Sequence, residues 1–371
     1  MNKEELYKEL ENYKPEMTTS QRLSAYMKGE RVDHLPYVIM SFDRLYSINH
    51  GYKMKDLNNI DVLTKMIDKR SKRYGLDGLD EELNLRDMGH AVGSKLIFPD
   101  NDIDYIEKFI LEDDLNVDML EIPDPYTNPV LKAHLERAKI LKDRFPDHIM
   151  STEIAGPMST AAAIRPIEKL LRDLRKNPDE VKKLLEFCIE ANLSWARAMK
   201  DEFGGMGIFI SEPVVCDDIL SPKHVKEFSD PYLRELTTKL YEINGIKSDL
   251  HICGHTKKQW ETYTTLDIGA YSVDNCESLA ECKEVIEDDL VLLGNVPPVD
   301  VMHYGSIDDV IEAVKVCIKE GADSKSGYIC ATGCGTPIGT PQENLDAFVY
   351  AVNKYSKDAK LGVIPDAVWE D

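Results

Sequence analysis

From Tyr37 to the C-terminus, short apolar runs alternate with longer amphipathic ones, and this alternation constrains the fold more than any other feature of the chain. The short runs are Tyr37-Val38-Ile39-Met40, Leu76–Asp80, His148–Thr152, Gly207–Ser211, Ile246–Leu250, Ala270–Val273, Leu290–Gly294 and Gly327–Ala331. Between and after them lie helical patterns: Val62–Tyr74, Asn128–Phe145, Ile167–Leu174, Pro178–Phe203, Pro222–Ile243, Lys257–Thr265, Leu279–Ile286, Ser306–Glu320 and Gln342–Tyr355. Repeated strand-then-helix order implies a parallel sheet. Close to eight such repeats predict an α/β chain folded as a (β/α)8 TIM barrel, with a doubly wound open sheet as the structural alternative.

No Pro/Gly/Ser linker divides the chain, so residues 1–371 are expected to form a single barrel domain. Residues 1–30 read as an N-terminal helical extension, with a hydroxyl cap around Thr18-Thr19-Ser20 and a stop at Gly29. The acidic region 76–127 breaks the rhythm and reads as a less regular insertion.

A content of 43% hydrophobic and 30% charged residues fits a chain with a substantial core. A formal charge of -22, from 45 basic and 67 acidic residues, counts against nucleic acid as a partner, because phosphate binding wants a basic face. No run approaches the roughly 20 apolar residues of a membrane helix, and the N-terminus has no apolar signal region. A cytoplasmic protein without a membrane partner is expected. There, eight cysteines read as packing residues, ligands or nucleophiles, not as a disulfide framework. Cys188 and Cys317 fall within helical patterns and read as core, whereas Cys216, Cys276, Cys282 and Cys330 stay open.

Two stretches carry chemistry. In His251-Ile252-Cys253-Gly254-His255 the extended backbone points residues i and i+2 to one side, so His251 and Cys253 can converge. In Gly333-Cys334-Gly335-Thr336-Pro337 a glycine-flanked turn leaves the Cys334 thiol accessible. One imidazole and two thiolates make a three-ligand zinc site with an open fourth position, the catalytic arrangement. Cysteine is also a common buried hydrophobe, so packing stands beside ligation as a reading of these residues.

A barrel gathers its chemistry at the carboxyl ends of the strands. The polar residues at those positions are Asp77, Asp80, Glu81, Glu153, Glu212, His251, Cys253, Asp274, Asn275, Asn295 and Cys334. Glu153, Asp274, Asp217 and Asp218 read equally well as helix caps. Glu212, ahead of Pro213 at a buried strand end, needs a partner to stay charged, whether a metal or a nearby Lys or Arg. His255 reads as a helix start. Gly156-Pro157 and Gly335–Gly339 read as tight turns, and His90 and His303 lack a supporting motif.

Taken together, these stretches resemble the uroporphyrinogen decarboxylase superfamily, in particular its branch of zinc-dependent corrinoid methyltransferases. The resemblance runs through Thr19–Leu23, Gly29–Pro36, Gly156-Pro157, Ser211-Glu212-Pro213, Leu220-Ser221-Pro222, Gly294-Asn295 and Thr340–Asn344. The methyltransferase branch carries His-x-Cys-Gly and a later Gly-Cys-Gly as zinc ligands, found here as His251–Gly254 and Gly333–Gly335. The decarboxylases carry an arginine-rich substrate motif near the N-terminus, where this chain reads Tyr37–Arg44.

The resemblance implies zinc held by His251, Cys253 and Cys334, and we assign Glu212 as a transient fourth ligand or proton acceptor. It implies methyl transfer between the cobalt of a corrinoid and the thiol or ether oxygen of a small substrate, in O-demethylation or C1 metabolism. No corrinoid-binding module is visible, so the corrinoid is expected on a partner protein. The alternatives are a metal-independent decarboxylase and a non-catalytic corrinoid- or metal-binding barrel. The insertion around Asp80-Glu81-Glu82 and Asn84–Asp87 departs from the coenzyme M enzymes, which leaves the small substrate open.

Overall fold

A computed structural model describes residues 1–370. Its strands are β1 (Tyr37–Val38), β2 (Gly78–Glu82), β3 (Lys95–Ile97), β4 (Tyr105–Lys108), β5 (Ile149–Ala155), β6 (Gly207–Ser211), β7 (Ser248–Ile252), β8 (Ile268–Val273), β9 (Val291–Val296) and β10 (Tyr328–Thr332). Among the described residues, eight of them form one sheet in the order β1-β10-β9-β8-β7-β6-β5-β2. With the helices between them, this is the (β/α)8 barrel the alternation predicts. Each of the eight apolar runs falls on one of these strands. The chain divides into two compact units, Leu79–Gly269 and Met1–Gly78 with Ala270–Asp371.

In the Leu79–Gly269 unit, β5, β6 and β7 run parallel and in register, Ser151 beside Gly207 and Ser211 beside His251. Trp195, on the Pro178–Phe203 helix, donates from Nε1 to Thr152 Oγ1 at 3.0 Å, so Thr152 marks the helix-facing side of β5. Alternation then puts Glu153, and with it Phe209 and Asp249 in register, on the opposite side. Ser211 and His251 follow one step along that same side.

Several segments depart from the expected pattern. Pro157–Ile164 is a helix, not a tight turn, and seven of its eight residues are buried. The stretch 76–127 holds the Asp87–Val92 helix and an antiparallel β3–β4 hairpin. It is tied to the Pro157–Ile164 helix by Ser94 Oγ donating to the Ala163 carbonyl at 2.8 Å and Leu111 N donating to Ile164 O at 3.0 Å. The Pro222–Ile243 pattern is two helices, Pro222–Phe228 and Asp230–Asn244, broken at Ser229. Pro231 supplies the break, since its ring removes a helical donor. Lys257–Thr265 is two short turns, Lys257–Gln259 and Trp260–Tyr263.

In the other unit, the Thr19–Met27 helix starts on a Thr18/Gln21 capping box. Its buried Arg22 pairs with Asp33 at 2.6 Å, and its Tyr26 hydroxyl accepts from Tyr328 N at 3.1 Å. The N-terminal extension is thereby bound to β10. A further helix, Phe42–Asn49, occupies a stretch where the sequence reading placed none.

Candidate metal centre

His251 is buried near the end of β7, its ring stacked with Phe209 at 6.2 Å between centroids and 18° between planes. Its Nε2 lies 3.2 Å from Cys253 Sγ, so the i and i+2 side chains do converge. The chain turns at Gly254, where φ is +80 and a Cβ would stand 3.2 Å from Asp218 Oδ2 and 3.4 Å from Cys216 Sγ. Both the backbone angle and the space call for glycine directly after the thiol.

The loops after β6 and β7 are laced together around that turn. Asp217 N donates to His255 O at 2.7 Å, and Asp218 Oδ2 accepts from His255 N at 3.2 Å and faces its Nδ1 at 2.9 Å. Gln259 Nε2 donates to Val215 O at 2.9 Å, and Lys258 pairs with Asp217 at 3.5 Å. His255 is therefore a loop-bracing residue, not a helix start, and Asp217 and Asp218 brace the same loops instead of capping helices.

Cys334 follows β10 in an equally constrained loop. Gly333 N donates to Val296 O at 2.9 Å, and a Cβ on Gly333 would meet Asn275 N at 2.6 Å. That close approach is what the first glycine of Gly-Cys-Gly permits. Cys253 and Cys334 are half-buried. His251 and Cys253 belong to the Leu79–Gly269 unit and Cys334 to the other. Zinc with its usual bond lengths holds tetrahedral N and S ligands about 3.5 Å apart, so the 3.2 Å between His251 Nε2 and Cys253 Sγ suits a shared ion.

Glu212 has a different partner from those foreseen. It is 1% exposed, and its two carboxylate oxygens accept from Met158 N at 2.7 Å and Ser159 N at 3.0 Å, the first amides of the Pro157–Ile164 helix. A helix N-terminus, not a Lys or Arg, is what faces the charge. Burial still outweighs those bonds and pushes the carboxyl up to about 7. Gly156 makes the contact possible, because a Cβ there would stand 2.4 Å from Glu212 Oε2. Glu212 N donates in turn to His251 O at 2.9 Å, which joins this helix end to the ligand strand.

Other strand-end residues are committed elsewhere. Asp77 accepts from Ser20 N at the start of the Thr19–Met27 helix, 3.0 Å away. Glu81 is buried against Arg137 and His134, the latter at 2.7 Å; burial raises its carboxyl, and those two partners outweigh it and hold it below the ordinary value. Asp80 accepts from Ser151 Oγ at 3.0 Å and Glu153 from Ser211 Oγ at 2.5 Å. Asp274 closes a turn on Cys276 N at 2.9 Å, while Ser278 caps the helix that follows. Asn295 donates to the carbonyls of Asp274 and Glu277 at 3.2 and 2.9 Å.

Among the cysteines, Cys188, Cys282, Cys317 and Cys330 are buried, and burial pushes each thiol up, Cys317 to about 12. These are packing residues. Cys216 is also buried beside Gly254, and Cys276 is exposed. No helix among the described residues is long and apolar enough to cross a membrane.

The uroporphyrinogen decarboxylase (URO-D) family model matches residues 18–355, and the chain belongs to that family. Within it, the chain is similar to methylcobamide:CoM methyltransferase MtaA of Methanosarcina barkeri, 25% identical over 352 residues that cover 92% of this chain and 99% of the relative. It is 26% identical to methylated-thiol–coenzyme M methyltransferase of Methanosarcina mazei over 53% of this chain and 51% of that one. A uroporphyrinogen decarboxylase of Coxiella burnetii is 26% identical over 140 residues, 37% of this chain and 38% of the relative. A solved methyltransferase from Methanosarcina mazei has the same fold, with a TM-score of 0.78 at 24% identity over 92% of this chain and 99% of that one.

Proposed function

We propose that the chain is a zinc-dependent methyltransferase, moving a methyl group between the cobalt of a corrinoid on a partner protein and the thiol or ether oxygen of a small substrate. The observation that carries this reading is the approach of His251 Nε2 to Cys253 Sγ at 3.2 Å, beside the glycine-bracketed Cys334 that the sequence offers as a second thiolate. Similarity along nearly the whole length to a methylcobamide:CoM methyltransferase supports it, whereas the decarboxylase similarity covers only 37% of the chain. One family model running from 18 to 355 supports reading the chain as one domain.

Zinc bound to these ligands would deprotonate a coordinated thiol or polarise an ether oxygen, which is the activation that methyl transfer at a heteroatom requires. The protein's own part is to hold His251 and Cys253 on one side of β7, with the Gly254 turn fixing where the thiol points. Glu212 secures the His251 backbone through its amide. Its carboxylate accepts from the amides of Met158 and Ser159 and from the Ser159 side chain. We assign it the role of proton acceptor or transient fourth ligand. A corrinoid protein and a small methyl donor or acceptor are the partners in this reading, in the cytoplasm, serving O-demethylation or C1 metabolism.

The test is methyl transfer from methylcobalamin to a panel of thiols, followed by the change in the corrinoid spectrum, with zinc-loaded parent and Cys253→Ser. Transfer by the parent and its loss in the variant are expected. A parent that instead decarboxylates porphyrinogens without metal would overturn the reading.

A further inference from the structure

The last two turns of the Ile167–Lys176 helix and the segment Ile219–His224 enclose a cleft of about 440 Å³. Its walls carry Arg172, Arg175, Lys176 and His224, with Leu171 and Ile219 as apolar surface. Neighbouring cations are paired: Arg165 with Asp173 at 2.6 Å, Lys182 with Glu227 at 3.5 Å, Lys183 with Glu180 at 2.7 Å. Among the described residues, Arg172, Arg175 and Lys176 have no carboxylate within ion-pair distance, although the chain has 67 acidic residues against 45 basic ones.

Two of the three sit in the last turn of the helix, where a cation complements the carbonyl end by only about 0.3–1 kcal/mol. That role does not account for Arg172, a turn earlier, or for His224, which comes from a different segment. The volume is that of a small-molecule site, and guanidinium groups beside an ammonium are suited to a compact multiply charged oxyanion. The rim also leads back to the ligand strand. Ile219 N and Leu220 N both donate to Cys216 O at 3.0 Å, and the next residue, Asp217, is bonded to His255.

We propose that this cleft binds an organic phosphate, its phosphoryl oxygens held by Arg172, Arg175 and Lys176 and its carbon part lying on Leu171 and Ile219. The proposal stands independently of the methyl-transfer reading. Calorimetric titration of the full-length protein at low salt, with phenyl phosphate and inorganic phosphate as probes, tests it. The parent should bind phenyl phosphate saturably and several-fold more tightly than inorganic phosphate. The double variant Arg172→Glu/Arg175→Glu should weaken binding by roughly tenfold or more. Lys108→Glu, an exposed cation elsewhere on this unit, should change nothing. All these substitutions are on the surface, and an unchanged far-ultraviolet dichroism spectrum verifies folding. Absence of saturable binding, equal binding of the two probes, or equal weakening by Lys108→Glu would each overturn the proposal.

Discussion

Gly156→Ala isolates the contact between Glu212 and the Pro157–Ile164 helix. Gly156 has φ -70 and ψ 175, angles open to alanine, so the substitution strains no backbone. Its cost is steric. The added Cβ would stand 2.4 Å from Glu212 Oε2, 2.5 Å from Cδ and 2.9 Å from Cβ. The carboxylate cannot swing away without stretching bonds from Met158 N and Ser159 N at 2.7 and 3.0 Å. Overpacking of this kind costs about 1–3 kcal/mol, and partial loss of charge-assisted bonds adds about 1–2 kcal/mol. A destabilisation of roughly 2–5 kcal/mol is expected, read as a lowered urea midpoint with unchanged slope. Glu212→Ala removes the obstructing atoms, so adding Gly156→Ala in that background should cost less than about 1 kcal/mol. The coupling between the two positions is the sharp part of the prediction. An equal cost of Gly156→Ala in both backgrounds, or no cost in the parent, would refute the assignment of Glu212 to the helix end.

Two further predictions concern the other unit. Burial, aided by Arg22, lowers the His34 imidazole from 6.5 to about 4. Because the folded value lies below the unfolded one, the unfolded chain gains a proton first on acidification. The neutral-His34 contribution is thus complete above pH 6.5 and declines by about 1.4 kcal/mol per pH unit towards pH 4. His34→Gln should flatten that part of a stability-versus-pH curve, whereas an unchanged slope counts against it. Asp346 is fully buried and accepts from Tyr74 Oη at 2.6 Å and Arg73 Nη2 at 3.0 Å. Asp346→Ala should destabilise by about 2–4 kcal/mol in urea unfolding, less than for a wholly buried pair because Arg73 reaches solvent.

The eight sheet strands were legible because apolar runs of a buried parallel sheet need no long-range information to be recognised. His251 and Cys253 were legible for a related reason, since alternation along a strand places them by itself. The Pro157–Ile164 helix was not, because it is buried on nearly all sides and so has no polar face to give an amphipathic period. Missing the helix concealed the partner of Glu212, whose amides lie 54 and 53 residues away in sequence. The Phe42–Asn49 helix did leave a signal, Gly51 just past its end at φ +89, but Ser41 before it lies in the left-handed region and provides no side-chain cap. Asp77 and Glu81 mark the limit of reasoning from strand ends. Position along the strand does not say which helix a long carboxylate will reach.

Metal content is the most direct test of the central claim. Elemental analysis would be made on the purified parent and on Cys334→Ser, each washed with a weak chelator. About one zinc per chain in the parent, largely lost in the variant, is expected of a site with thiolate ligands. A parent that neither holds zinc nor takes it up would contradict the account, as would a variant that retains it in full.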